Sequence, residues 1–444
     1  MARNNNFNLI RIIVAGLLML AASSAAFAKP IPSIPDDRHG INWYPSGAWI
    51  QSADCALETG ALLVMCRKGK LYPLAEFDAG DDPGHALVLG LYSIITGNHV
   101  EPVDILTLNT LINYSGLIIL SALLFSLDLK IASLLVLACG AAVAGHYNVM
   151  SPHPAQLGGA ALSAVLPLTI LALLPSIESR RKTVIAWLVA GVICLSAATM
   201  FRQAIGQMGV AASVMALAFY ATRRHAKYVI AVVLALAVLV SYKSPLMVLK
   251  ARDYAFDVVP TDQMEQHGIW HNLFIGLGVT KNDFGISWED MNGLGHAQAV
   301  DPNVRWISNE YFAIQRREYF RIVSEHPLAV ALIYAEKLQL TLEQKLPLIR
   351  IPFGWLLLAL TIAASTLRYV KFRGSLFGAS DAILTLSAIF VCFFIGQSVL
   401  VNFDLKYLFP VMLFLILSGA GILEMANRAW GRSREQKEVT LNAG

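Results

Sequence analysis

Three aspartates within five residues are the side chains of this sequence best suited to acid–base chemistry: Asp78, Asp81 and Asp82. Carboxylates this close raise one another's pKa and nearby cations lower it, so one of the three could serve as a general base. Pro83 follows at a position suited to the first turn of a helix, which Gly97 would end. The turn therefore has two interpretations, a catalytic carboxylate group or a solvated cap on a helix N-terminus.

Two cations lie where predicted membrane helices reach the outer surface. They are Arg202 and Lys406, and Tyr407 follows the second of them. Arginine and lysine pair with phosphate oxygens, and a fixed positive charge would stabilise a departing phosphate. The alternative is ordinary snorkelling of a long cationic side chain to the lipid headgroups. Both positions are candidates for holding a phosphate group.

A histidine pair with a tryptophan between them is a second candidate region. His267 and His271 are four residues apart, a spacing that places two metal ligands on one face of a helix. The sequence offers no third ligand nearby, and Gly268 weakens a helix there, so no metal is indicated. We expect surface histidines beside a substrate groove. Trp270 could stack on a sugar ring or pack against the membrane plane.

Two further histidines could contact a substrate. His85 ends the acidic motif, and His153 lies in a loop that Pro152 and Pro154 stiffen. A structural role stays open for both of them.

The five cysteines divide by position. Cys55 and Cys66 lie in a predicted outer segment, whereas the other three lie inside apolar runs. A cysteine pair in an oxidising compartment predicts a disulfide, here one that closes a short hairpin. The alternative is two unpaired buried thiols.

The composition requires a lipid environment. Hydrophobic residues make up 56% of the chain and charged residues 14%, well below the share of about 25% in soluble domains. The net charge of +4 gives no argument for nucleic acid. Helix is the structure that satisfies the backbone in lipid, so the sequence predicts an all-α polytopic membrane protein. About ten apolar runs are long enough to span, at 8–28, 104–127, 131–148, 160–176, 184–200, 204–222, 228–245, 352–367, 380–400 and 405–424.

The basic residues indicate the orientation. If the N-terminus is cytoplasmic, every short inside loop carries lysine or arginine, and the short outside loops carry only Arg202 and Lys406. We therefore expect a multi-pass protein of the bacterial inner membrane with both termini in the cytoplasm.

The predicted organisation alternates membrane and outer segments. It comprises a first span or signal-like segment at 1–28, an outer loop at 29–103, six spans within 104–245, a second outer region at 246–351, three spans within 352–424 and a basic cytoplasmic tail at 425–444. Ala26, Phe27 and Ala28 resemble a signal-peptide cleavage site, so cleavage stays open. In the outer loop, residues 86–96 read as an interfacial amphipathic helix. In the second region, residues 308–345 read as helical with a break at Pro327.

The acidic motif resembles that of a known family. An acidic pair in the first outer loop, then a proline, then an interfacial helix ending in Thr-Gly, is similar to the C-superfamily (GT-C) of membrane glycosyltransferases. The matching residues here are Asp81-Asp82-Pro83-Gly84-His85 and Thr96-Gly97. The large outer region late in the chain also fits the layout of that family. Where the family often has Arg-Tyr and then Pro at the last span, this sequence has Lys406, Tyr407 and Pro410.

The resemblance implies an inverting transfer of sugar from a polyprenyl-phosphate donor to an acceptor hydroxyl on a glycan, lipid or protein. It implies Asp81 or Asp82 as the base, with Asp78 in reserve, and a GT-C-like fold with interfacial helices and a mixed outer region. No cofactor is implied, although a divalent metal is compatible with it. We find no glycine-rich nucleotide-binding motif.

Three other function classes fit parts of the sequence. A transporter or flippase for lipid-linked sugars suits ten spans, but no interrupted helices recur in the two halves, and the spans contain very few charges. An O-antigen-type polymerase or ligase would depend on outer arginine and histidine rather than on an early aspartate pair. A non-catalytic assembly subunit is the third alternative.

Overall fold

A computed structural model describes residues 46–77, 82–150, 156–172, 181–222, 228–261, 263–264, 268–346, 349–371, 378–403 and 408–442. The described residues form fifteen α-helices, one short 3-10 helix and a two-stranded hairpin. The architecture is consistent with the predicted all-α membrane protein.

The segment predicted to be the first outer loop, which keeps the name first outer segment below, is a small helix–hairpin–helix unit. Helix α1 (Ser46–Thr59) leads to strands β1 (Val64–Arg67) and β2 (Lys70–Pro73), and a 3-10 turn (Leu74–Phe77) precedes helix α2 (Pro83–Thr96). The strands pair antiparallel, with Val64 opposite Pro73. The disulfide expected between Cys55 and Cys66 is present and ties α1 to β1.

Helix α2 begins and ends where its sequence predicts. Pro83 lies in the first turn, where its missing N–H costs nothing, and Gly97 caps the C-terminus with φ of 69°. Its buried face includes Leu89, while Leu91 and Ile95 are exposed. The helix therefore has an apolar outward face, as expected for an interfacial helix.

Six apolar helices follow: α3 (Pro102–Ser126), α4 (Lys130–Met150), α5 (Gln156–Ala172), α6 (Arg181–Phe201), α7 (Gln203–Ala221) and α8 (Tyr228–Ala255). Helix α5 is central, with Gln156 through Leu171 all buried between α3, α6 and α7. A Cβ on Gly158 would lie 2.3 Å from the Ile112 carbonyl oxygen, so the α3 and α5 backbones touch. Close approach at small residues is typical of helices packed within membranes.

Helix α8 continues to Ala255, beyond 245, where its apolar run was expected to end. The helix is longer than expected because its last turns pack on the first outer segment. Leu249 joins the core of that segment, and the buried Arg252 guanidinium donates to the Leu63 carbonyl at 3.2 Å. These tertiary contacts extend the helix through Pro245.

The second outer region contains α9 (Ile269–Gly276), α10 (Asp290–Val300), α11 (Asn309–Glu325) and α12 (Pro327–Glu343). Its sequence predicted a helical stretch broken at Pro327, which α11 and α12 confirm. Ala75 of the first outer segment packs into one of its apolar clusters. The chain then returns to the bundle through α13 (Phe353–Lys371), α14 (Ala379–Leu400) and α15 (Val411–Asn442).

Among the described residues, six helices are long and apolar enough to cross a membrane. They belong to α3, α6, α7, α8, α14 and α15. Three more predicted spans coincide with the shorter apolar helices α4, α5 and α13. The predicted first span at 8–28 lies outside the described residues. The count of ten therefore stays a prediction.

Candidate functional site

A buried ion pair joins the acidic turn to the far end of α6. Asp82 Oδ2 accepts a hydrogen bond from Arg202 Nη1 at 2.9 Å. The Asp82 side chain is 3% exposed and that of Arg202 is 20% exposed, so the arginine is only partly buried. Two residues from distant parts of the sequence therefore form one charged unit.

The backbone at the junction of α6 and α7 completes this unit. Arg202 separates the two helices in an extended conformation, with φ of −153° and ψ of 93°. The break leaves the first N–H groups of α7 without intrahelical partners, and Asp82 Oδ1 accepts from the Gln203 N–H at 3.2 Å. The carboxylate thus serves the N-terminus of α7, where a negative charge is favourable.

Asp82 does not cap its own helix. It occupies the N-cap position of α2, but its side chain makes no capping hydrogen bond there. For this residue the interpretation as a solvated helix cap is wrong, because the carboxylate is buried and is bound to Arg202 and Gln203.

His85 lies directly behind the ion pair. Its ring stacks on Trp49 of α1 with centroids 4.4 Å apart, and the edge of the Phe201 ring is 5.2 Å away by centroids. Nε2 is 3.0 Å from Oδ1 of Asn109 on α3. Burial lowers the pKa of the imidazole to about 4, because the charged form loses its hydration, and the positive charge of Arg202 acts in the same direction.

A close backbone contact fixes the first turn of α2 against α6. A Cβ added to Gly84 would come within 2.9 Å of the Met200 carbonyl carbon. Glycine is therefore needed for this approach of two backbones. The N-terminus of α5 closes the same region, since Gly159 lies 3.9 Å from the Arg202 Cβ by the same measure.

The second outer region contacts the first outer segment at Glu76, shortly before the acidic turn in the sequence. Glu76, at the end of the 3-10 turn, accepts hydrogen bonds from the Thr261 hydroxyl and from Arg305 Nη2, the latter at 3.3 Å. The chain just before Asp78 is thereby tied to the second region.

Six predicted site residues lie outside the described part of the chain. They are Asp78, Asp81, His153, His267, Lys406 and Tyr407. The geometry thus brings together Asp82, His85 and Arg202 of the predicted set.

His271 lies in a separate place and is buried. Nδ1 is 2.6 Å from the Tyr311 hydroxyl and Nε2 is 3.1 Å from an Asp290 carboxylate oxygen. The expectation of a surface histidine is wrong here, because the ring is 1% exposed and both nitrogens already have partners. His271 holds α9, α10 and α11 together.

Trp270 is partly buried beside α11. The Arg316 guanidinium lies 5.3 Å from its ring centroid, and the Phe320 ring is 5.4 Å away. A contact between Trp270 and a sugar ring stays a prediction. Within the described ranges, no group of three or more histidine, cysteine or acidic side chains could hold a metal ion.

Sequence reasoning missed Asn109 and Lys337. Asn109 is a polar residue inside an apolar run, and such residues mark functional or packing sites in membrane helices, so that signal was present. Lys337 is fully buried in α12, and its ammonium donates to the carbonyls of Gly276 at 2.8 Å and Val401 at 2.9 Å. Burial lowers the pKa of Lys337 to about 7.

Comparisons with known proteins give no relative: no protein-family model matches the chain, and no match is found among curated proteins or solved structures.

Proposed function

We propose that this protein is an inverting glycosyltransferase that moves a sugar from a polyprenyl-phosphate donor to an acceptor hydroxyl at the outer face of a bacterial inner membrane. The observation that carries the proposal is the Asp82–Arg202 ion pair. It joins the acidic turn to a cation at the end of an apolar helix, where a lipid-linked phosphate could approach from the membrane.

The proposed roles divide between neighbouring aspartates. Both carboxylate oxygens of Asp82 accept hydrogen bonds, from Arg202 and from the Gln203 N–H. Such a carboxylate is suited to holding the guanidinium in place. Asp81, the residue before Asp82, is therefore the preferred general base, and Asp78 is the reserve.

In this proposal, the phosphate of the sugar donor is bound by cationic side chains. Arg202 is ordered by its bond to Asp82 and is partly exposed, so it presents a preorganised positive charge. Lys406 and Tyr407 are proposed to complete the phosphate site from the start of the last span. Charge-assisted bonds to the phosphate would strengthen as negative charge develops on the leaving group.

The proposed reaction is a single displacement. The base takes the proton of the acceptor hydroxyl as its oxygen bonds to the anomeric carbon, and the bond from that carbon to the phosphate oxygen breaks. The electron pair leaves with polyprenyl phosphate, and the anomeric configuration inverts. The energy comes from the donor bond itself, so the reaction uses no nucleotide.

A transfer assay with matched variants tests this proposal. Purified full-length protein is mixed with a membrane extract and with polyprenyl-phosphate hexoses and pentoses labelled in the sugar. We expect Asp81→Asn to lower transfer at least a hundredfold, since a general base contributes about 10²–10⁴-fold. Asp82→Asn should lower it as well, because Arg202 loses its partner. The control is Asp283→Asn, an exposed aspartate of the second outer region.

Other outcomes favour other classes. Movement of the lipid-linked sugar across the membrane without transfer, unchanged by both substitutions, would indicate a flippase. Loss of transfer only when outer arginines or histidines are changed would indicate a polymerase or ligase.

A further inference from the structure

His85 lies between the chain segments that carry the two members of the Asp82–Arg202 ion pair. On the first side, His85 lies in the opening turn of α2, and its backbone N–H donates to the Asp82 backbone carbonyl at 3.2 Å. On the second side, its ring packs against the ring of Phe201, the residue that precedes Arg202. His85 is therefore connected to the Asp82 side of the pair through its backbone and to the Arg202 side through its ring.

The ring is also fixed to two other helices. It stacks nearly parallel on Trp49 of α1, with an interplanar angle of 11°. On α3, the Asn109 Oδ1 lies 3.0 Å from Nε2. Because an amide oxygen can only accept, Nε2 carries the hydrogen and donates it, which sets the tautomer of the ring.

This tautomer has a cost in stability. Nδ1 is left as an acceptor, buried and with no hydrogen-bond partner in the described part of the chain. A buried acceptor without a partner destabilises a protein, because it gives up its hydrogen bonds to water and gains none. A phenylalanine of similar size would fill the same space and stack on Trp49 without that cost. What it would lack is the hydrogen bond to Asn109.

We propose that His85 is a positioning residue that, through its hydrogen bond to Asn109, orients the first turn of α2 so that the Asp82 carboxylate meets Arg202 and the Gln203 N–H. His85 does not touch the substrate. Its effect on sugar transfer rests on the proposed function, whereas its effect on the ion pair does not.

The ion pair itself provides the readout. Asp82→Ala, Arg202→Ala and the double variant form a double-mutant cycle, and the non-additive part of their shifts in melting temperature measures the coupling of the two residues. The cycle is measured on purified full-length protein in detergent. It is repeated in four backgrounds: His85→Phe, His85→Gln, Asn109→Ala and Leu89→Ala. Leu89 is a buried residue of the same helix that packs in the apolar core of the first outer segment, so it controls for general loosening of α2.

The expected pattern separates the hydrogen bond from packing. His85→Phe keeps the stack on Trp49 but loses the donor, and should reduce the coupling at least threefold. Asn109→Ala removes the same bond from the α3 side and should have the same effect, which keeps the test valid if His85→Phe does not fold. His85→Gln can place an amide donor near the position of Nε2 and should keep at least half of the coupling. Leu89→Ala should leave it unchanged.

The proposal is overturned by any of three results. These are full coupling in the Phe or the Asn109 variant, an equal loss in Leu89→Ala, or a Gln variant that behaves like the Phe variant.

Sugar transfer is measured in parallel on the single His85 variants. We expect His85→Phe to lower kcat about tenfold or more with KM for the donor changed less than twofold, because a misplaced group slows the chemical step. His85→Gln should stay close to wild type. If the wild-type protein transfers no sugar, the proposed function fails, and the coupling measurement still decides the role of His85.

Discussion

The two outer segments are attached to the membrane helices by different chemistry. The acidic-turn anchor, formed by Asp82, His85, Asn109 and Arg202, joins a carboxylate to a guanidinium that is partly exposed. The lysine anchor, formed by Lys337, Gly276 and Val401, joins the Lys337 Nζ to two backbone carbonyls, and the lysine is completely buried. A completely buried contact is suited to holding two parts of a protein together. An ordered charge on a partly exposed side chain is suited to binding a ligand.

The lysine anchor depends on two helix ends. Gly276 is the last residue of α9, and Val401 is the C-cap of α14, so both carbonyls carry the partial negative charge of a helix C-terminus. A Cβ on Gly276 would lie 2.6 Å from the Leu400 carbonyl oxygen. Helix α9 therefore rests directly on the C-terminal end of α14.

The largest expected effect comes from breaking the lysine anchor. Lys337→Ala removes a fully buried side chain and leaves two carbonyls without their donor, so we expect a loss of about 4 kcal/mol in the free energy of unfolding. Lys281→Ala, at an exposed position of the same region, should change it by less than about 0.5 kcal/mol. Thermal unfolding in detergent measures both, and equal shifts would contradict the account.

The acidic-turn anchor should respond to acid. The pKa of His85 falls from 6.5 to about 4 on folding, so between these values the unfolded chain binds a proton that the folded protein does not. Stability should therefore be lost as the pH falls from 6.5 to 4, by about 3 kcal/mol in total. Melting temperatures of the wild type and of His85→Gln over this pH range measure the loss of stability that comes from His85, which the variant should lack. Parallel curves for the two proteins would count against it.

A smaller effect is expected from the disulfide of the first outer segment. Cys55 and Cys66 enclose a short loop, with a sequence separation of 11 residues. The double substitution to serine should lower the free energy of unfolding by about 2 kcal/mol, because the unfolded chain gains freedom. Proteolysis of the segment near the hairpin, followed by mass spectrometry, gives the local readout. Cleavage at the wild-type rate would show that the hairpin holds without the bond.

The smallest effect is expected at the contact between the two outer segments. Arg305 pairs with Glu76 at 3.3 Å with half of its side chain exposed. Because exposed ion pairs contribute little, Arg305→Ala should cost less than about 1 kcal/mol. A loss as large as that of Lys337→Ala would mean that the segments depend mainly on each other, and the distinction between two separate anchors would fail.

Local features of this fold could be predicted from the sequence, and long-range contacts could not. Pro83 and Gly97 predicted both ends of α2, because first-turn proline and C-terminal glycine act through backbone geometry alone. The apolar runs predicted most of the long helices for a similar reason. The end of α8 was misplaced, since the contact of Leu249 with the first outer segment decides it.

The same division applies to the candidate site. The types of Asp82 and Arg202 indicated charge chemistry, and the structure places the two side chains 2.9 Å apart although 120 positions separate them in the sequence. The burial of Lys337 was not predictable, because a lysine in an amphipathic helix is usually exposed and its partners here are carbonyls of two other helices. The prediction that His271 is a surface residue was wrong. Its partners Tyr311 and Asp290 lie far away in the sequence, so their contact with it could not be foreseen.

The central claim is that the acidic turn and Arg202 together form a site for sugar transfer. Its most direct test measures, in one reaction, the polyprenyl phosphate released and the labelled sugar received by the acceptor, for the wild type, Asp81→Asn, Arg202→Ala and the control Asp283→Asn. We predict one polyprenyl phosphate released for each sugar transferred, a loss of at least a hundredfold in Asp81→Asn and in Arg202→Ala, and no change in the control. Wild-type rates in both Asp81→Asn and Arg202→Ala, with folding intact, would contradict it.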